Sequence, residues 1–123
     1  MANSYPSTPP LQTRFITVEM ADVSTAASVW VVPGFRGKLK KITSIINGAI
    51  ATGDAGITVE IGGTAVTGGA VTIATAASAA GDIDTAVPTA LNTFSDAQAL
   101  EIITDGVSTN TVIAVFTLEC EPI

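Results

Sequence analysis

Few side chains in this sequence of 123 residues have the chemistry of a catalytic group, and histidine is missing. Without histidine, the chain lacks the commonest general base near neutral pH and cannot form a Ser–His–Asp or Cys–His arrangement. The single cysteine, Cys120, lies between Glu119 and Glu121, and these negative charges oppose formation of a thiolate. We therefore predict an unreactive thiol, no disulfide within the chain and a protein that is not an enzyme.

Asp82 and Asp84, two carboxylates one residue apart, are the strongest candidates for metal ligands. Calcium prefers about six to eight oxygen ligands, so Asp54, Asp96 or Asp105 would have to converge on the pair. The alternative is a solvated loop, which is the common setting for such a pattern. We predict the loop, and no cofactor.

Positive charge is distributed unevenly along a chain whose net charge is −6. Four of the five basic residues fall within six positions: Arg36, Lys38, Lys40 and Lys41. One interpretation is a solvated strand whose charges discourage edge-to-edge aggregation. The other is a docking patch for an acidic surface, either on a neighbouring copy or on another protein. The acidic remainder argues against binding to nucleic acid or to an anionic membrane.

The elements that must position these residues are predicted to be β-strands. The sequence holds 18 threonines, 12 valines and 13 isoleucines, and branching at Cβ favours strands over helices. Short apolar segments between turn residues predict an all-β domain of about eight short strands, a β-sandwich or jelly roll. The predicted strands are 15–20, 28–32, 39–46, 57–61, 64–67, 71–75, 82–86, 100–104 and 111–119.

Residues 1–12 differ from the rest of the chain and predict an extended N-terminal arm before a domain at 13–123. The arm contains Pro6, Pro9 and Pro10, and proline removes the amide donors that a sheet requires. It could pack on its own domain or lie on a partner. The sequence does not open on a basic segment followed by an apolar one, so we expect no secretory signal.

The last predicted strand is apolar on both faces. Ile113 and Val115 lie on the face opposite Val112, Ala114 and Phe116. Such a strand is either central to a covered sheet or part of a subunit interface. Ile113 and Val115 are therefore candidates for a subunit interface.

Several segments together resemble the head decoration, or cement, proteins of tailed bacteriophages. They are residues 27–33 (ASVWVVP), 37–39 (GKL), 57–69 (ITVEIGGTAVTGG), 80–90 (AGDIDTAVPTA) and 100–109 (LEIITDGVST). The resemblance implies a β-sandwich that assembles, often as a homotrimer, on the outside of the capsid and bridges neighbouring capsomers. It also implies that the major capsid protein is the partner, and that the protein is made in the host cytoplasm and resides on the virion exterior. A role of this kind requires no chemistry.

The expected contacts with the capsid come from the sequence and not from the resemblance. They are Tyr5, Pro6, Pro9, Pro10, Arg14, Arg36, Lys38, Lys40 and Lys41. A phage tail or fibre component is an alternative function. A β-sandwich module that binds glycans or a host surface is another, and would need exposed aromatics on one face, supplied by Trp30, Phe35 and Phe94.

Overall fold

The computed structural model describes residues 12–123, and all but Gln12 of the predicted arm, including Tyr5, Pro6, Pro9 and Pro10, lies outside this part. Residues 12–123 form ten β-strands and no helix. The strands are β1 (Arg14–Met20), β2 (Ala27–Val31), β3 (Gly37–Ile46), β4 (Ala55–Ile61), β5 (Thr64–Ala65), β6 (Val71–Ile73), β7 (Ile83–Ala86), β8 (Thr93–Phe94), β9 (Leu100–Thr104) and β10 (Ala114–Pro122).

The strands form two antiparallel sheets with the pairing of a jelly roll. Sheet 1 has the order β1-β10-β3-β7, with β8 also pairing with β3; sheet 2 has the order β2-β9-β4-β5, with β6 also pairing with β4. The first strand thus pairs with the last, β2 with β9, β3 with β7 and β4 with β6. This nested pairing is that of one long hairpin wrapped into two sheets. The prediction of an all-β sandwich is confirmed.

The core lies between the two sheets because strand residues alternate between apolar and polar types. In β10 every second residue is buried, and Phe116 and Leu118 are fully enclosed together with Ile42 of β3. Ile57 of β4 and Ile102 of β9 face them from sheet 2 and are equally enclosed. Burying a side chain of this size contributes about 2 kcal/mol. The core therefore accounts for the stability of the sandwich, and the single cysteine, Cys120, is a free thiol within it.

Most strand boundaries differ from the prediction by one or two residues, and two departures are larger. The last strand begins at Ala114, three residues later than expected, and β8 lies between the predicted strands 82–86 and 100–104, where no strand was predicted. β8 forms because Phe94 is 1% exposed and because the Asn92 side chain donates a hydrogen bond to the carbonyl oxygen of Leu39 at 2.7 Å. The Leu39 amide donates to the carbonyl oxygen of Asn92 in return.

Candidate docking surface at the basic end

All five basic residues lie at one end of sheet 1, which we call the basic end: Arg14, Arg36, Lys38, Lys40 and Lys41. Arg14 joins the others through the register, because it lies opposite Cys120 of β10, and Cys120 lies opposite Leu39 of β3. Four of the five cations are exposed and Lys38 is half-buried. The fold therefore gathers five cations at this end, whereas the sequence alone groups only four of them.

A β-bulge in β3 turns two adjacent lysines toward solvent. Glu119 lies opposite Lys41, but the next residue of β10 lies opposite Leu39, so Lys40 is the extra residue. Lys40 and Lys41 are both exposed between the buried Leu39 and Ile42. An extra residue breaks the alternation of the strand. The bulge therefore keeps both charges out of the core.

Two glutamates of β10 lie beside these lysines. Glu121 lies opposite Lys38 and Glu119 lies opposite Lys41. These two carboxylates balance only part of the positive charge, since five cations lie at this end. The basic end keeps an excess of positive charge on a chain that is acidic as a whole.

An aromatic pair, Phe35 and Phe94, packs next to the cations of the basic end. Phe35 packs edge-on against Phe94 with 5.5 Å between ring centroids, and the Arg14 guanidinium lies 4.5 Å from the Phe35 centroid. Gly37 lies under this pair, where a Cβ would come within 2.8 Å of Phe94 and 2.9 Å of Phe35. A guanidinium over an aromatic ring is attracted by the ring quadrupole. The contact fixes Arg14 relative to the strand that carries the lysines.

Exposed apolar side chains accompany the cations. Leu91 is 62% exposed. Its φ is +53°, a left-handed conformation that costs a residue with a Cβ about 1 kcal/mol. It lines an open depression of about 390 Å³ together with Ile61, Thr64, Thr93 and Gln98. The depression itself has no basic residue in its lining. Exposed cations and an exposed leucine at the same end of the sandwich are typical of a surface that contacts another protein.

The sequence did not single out this depression. It is formed by the ends of β4 and β5 and by residues 91–98, in which no strand was predicted. Phe94, a large apolar residue in a polar segment, was the signal that this segment packs against the sandwich.

The two interface candidates of the last strand lie elsewhere. Ile113 and Val115 are half-buried on the outer face of sheet 1, away from sheet 2. β10 is a central strand of its sheet, between β1 and β3. No other element of residues 12–123 covers this outer face. The strand is therefore central, as one alternative required, but its sheet is not covered on this side, and the subunit interface stays a prediction.

The carboxylates of the candidate metal site do not converge with a third ligand. Within residues 12–123 there is no group of three acidic or cysteine side chains with metal-binding geometry. The Asp82 carboxylate accepts a hydrogen bond from the Ala79 amide, and Asp54 accepts two from Thr75. Partial burial, with a smaller contribution from the charge of Asp82, raises the pKa of Asp84.

Cys120 is enclosed beneath the basic end. Its side chain is fully buried, and burial together with the charge of Glu119 raises the pKa of the thiol to about 11. A thiol that stays protonated at neutral pH is a poor nucleophile. Its surroundings are those predicted for an unreactive thiol.

The aromatics required for a glycan platform do not gather on one face. Trp30 is 63% exposed on the outer face of sheet 2, whereas Phe94 is buried under sheet 1 and Phe35 is half-buried against it. Phe15, which is 64% exposed, lies on the outer face of the opposite sheet. A glycan platform therefore has no aromatic stack among these residues.

The described residues contain no helix of the length and apolarity needed to cross a membrane. Comparison of the chain with protein-family models and with curated proteins finds no match to either.

Proposed function

We propose that this chain is a non-enzymatic structural protein that decorates or cements a phage capsid, docking on the outside of the shell through its basic end. The major capsid protein is the proposed partner. The capsid assignment depends on the sequence resemblance, and the jelly roll is a fold that capsid-associated domains share with lectins and many other proteins.

The observation that carries the docking proposal is the convergence of all five cations on one end of the sandwich. None of the lysine or arginine side chains donates a hydrogen bond to another residue within 12–123, so folding of this part of the chain makes no such use of them. Docking to an acidic surface would use them. The partner is therefore an acidic protein surface, and the aspartate-bearing loops at the opposite end would face solvent.

Attachment through several weak contacts suits such a surface. An exposed ion pair contributes about 0.2–1 kcal/mol, so a single basic end binds weakly. Several copies linked in one oligomer would bind far more tightly, because each engaged copy raises the effective concentration of the next. The resemblance implies that a homotrimer would supply these copies, and the gain in effective concentration holds for an oligomer with any number of copies.

The test is co-sedimentation of the purified protein with capsids of its phage at low and high salt. Replacing Arg36, Lys38 and Lys40 by serine should weaken binding about tenfold at low salt, because three exposed ion pairs are lost, and should reduce the dependence of binding on salt. Lys41 is left unchanged because it lies in the middle of the outer face of sheet 1, so the variant leaves that face intact.

The matched control removes three charges from the opposite end, by Asp22→Asn, Asp54→Asn and Asp82→Asn. This variant should bind capsids as the wild type does. Equal binding by both variants would refute the basic end as the docking surface. Failure of the wild type to bind capsids, with binding to isolated tails, would favour the tail component.

A further inference from the structure

The outer face of sheet 1 is mostly uncharged and is not covered by any element of residues 12–123. One residue from each of its four long strands forms a row across it, and all four are threonines. In order they are Thr17 of β1, Thr117 of β10, Thr43 of β3 and Thr85 of β7. Adjacent strands lie about 4.8 Å apart, so the row is about 14 Å long.

The rows on either side of the threonines differ from each other. One is apolar over three strands, with Val115, Ile45 and Ile83, and has Glu19 at its β1 edge. The other contains Phe15, Glu119 and Lys41, and Val87 continues it just after β7. The large apolar members are well exposed: Ile45 is 42% exposed, Ile83 61%, Val87 63% and Phe15 64%.

We propose that this face packs on the same face of a second copy of the chain, about a two-fold axis that runs parallel to the strands between β10 and β3. Such an axis exchanges β10 with β3 and β1 with β7, while each row faces its own counterpart. The proposal is independent of the capsid assignment.

The face is complementary to itself under this rotation. Lys41 of one copy lies over Glu119 of the other, and Val115 lies over Ile45. The threonine rows face each other, and Phe15 lies over Val87. Because Lys41 and Glu119 are already neighbours within one sheet, the pair of copies places two positive and two negative charges alternately around the axis.

The other two-fold axis in the plane, perpendicular to the strands, lacks this match. It would place Lys41 over Ile45 and Glu119 over Val115, burying charges on apolar side chains, which is costly. Under the proposed axis the one mismatch is Glu19 over Ile83, and both lie on outer strands of the sheet. Packed sheets cross at about 30°, which displaces these rim positions and preserves the central contacts.

The contact is small, and this sets the conditions of the test. Four strands over about five residues give a face of about 300 Å², below the roughly 800 Å² per partner of a stable complex. The pair should therefore form at high concentration. The proposed pair has two-fold symmetry, whereas the resemblance implies a trimer. The mass of the native assembly distinguishes a dimer from a trimer.

The experiment uses two variants, Lys41→Glu and Glu119→Lys, each checked for folding by circular dichroism. Sedimentation velocity from about 10 µM to about 1 mM should show wild-type dimers in this range of weak association. Each variant alone should have its dissociation constant raised about tenfold or more, because like charges then face each other across the axis. An equimolar mixture should recover the dimer, since opposite charges face each other again.

The mixture separates contact between copies from damage within one copy, because mixing cannot repair a strand pair inside a chain. Native mass spectrometry with one variant isotope-labelled should find the mixed pair. As a second variant, Ile45→Asp at the central contact with Val115 should weaken dimerisation, while Trp30→Ser on the outer face of sheet 2 should leave it unchanged. A monomer throughout, a mixture that does not associate, or a trimer that ignores these substitutions would overturn the proposal.

Discussion

The two ends of the sandwich use charge in different ways. At the basic end, the cations lie on strands and none of their side chains donates a hydrogen bond within residues 12–123. At the opposite end, which we call the aspartate end, four loops each contain an aspartate whose carboxylate accepts a hydrogen bond from a nearby amide. These residues are Asp22, Asp54, Asp82 and Asp105.

The loops of the aspartate end are also bonded to one another. The Thr104 hydroxyl donates to the carbonyl oxygen of Val23 at 2.7 Å, and Ala51 pairs with Thr109. The Ser78 hydroxyl donates to the Ile50 carbonyl and accepts from the Ile50 amide. The aspartates at this end stabilise turns, so we attribute them to folding and not to binding. Apart from the contact of Arg14 with the Phe35 ring, the basic side chains have no comparable contact within residues 12–123, which is why we assign docking to their end.

The largest predicted effect on stability comes from breaking the aspartate end with Gly106→Ala. Gly106 has φ +70°, and a Cβ there would lie 2.5 Å from the Ala26 amide nitrogen. Strain at positive φ and displacement of a neighbouring backbone together should lower the free energy of unfolding by about 3 kcal/mol, measured by urea denaturation.

Gly48→Ala is the matched control at the same end. Its Cβ would make an ordinary contact of 3.6 Å with Val112, and Gly48 has no positive φ. The free energy of unfolding should change by no more than about 0.5 kcal/mol. Equal effects at Gly106 and Gly48 would contradict the close packing of these loops.

A smaller effect separates the structural role of an aspartate from its charge. Asp54→Ala removes the acceptor of two hydrogen bonds from Thr75 and should cost about 1 kcal/mol. Asp54→Asn keeps an acceptor oxygen and should cost less. Lys40→Ala at the basic end should be neutral within about 0.5 kcal/mol. If Lys40→Ala were as costly as Asp54→Ala, the contrast between the two ends would fail.

The smallest predicted effect is on the pH dependence of stability, and it concerns Cys120 beneath the basic end. It appears only at alkaline pH. The pKa of its thiol is raised from 9.0 to about 11 in the folded chain, so the unfolded chain loses this proton first. The contribution to stability is therefore complete below about pH 9 and is lost as the pH rises toward about 11. Unfolding measured across this range should show a decline that the Cys120→Ala variant lacks. Parallel curves for both proteins would indicate that the thiol titrates alike in the two states.

Much of the fold was accessible from residue patterns. Strand 100–104 was predicted with the observed bounds, and the predicted strand 15–20 differs from β1 by one residue. β8 was missed because two residues held by Asn92 and the buried Phe94 leave no periodic pattern. The bulge at Lys40 had a visible signal, two polar residues between Leu39 and Ile42, which strict alternation does not allow.

The sequence by itself determined the class of structure, since β-branched residues in alternation can bury one face only as strands. It also determined that chemistry based on histidine is impossible and that four cations lie close along the chain. The tertiary structure decided where those cations act, because only the antiparallel register brings Arg14 beside them. It likewise aligned four threonines from distant segments into one row. Register depends on long-range hydrogen bonding and on a bulge, and neither is encoded by local spacing alone.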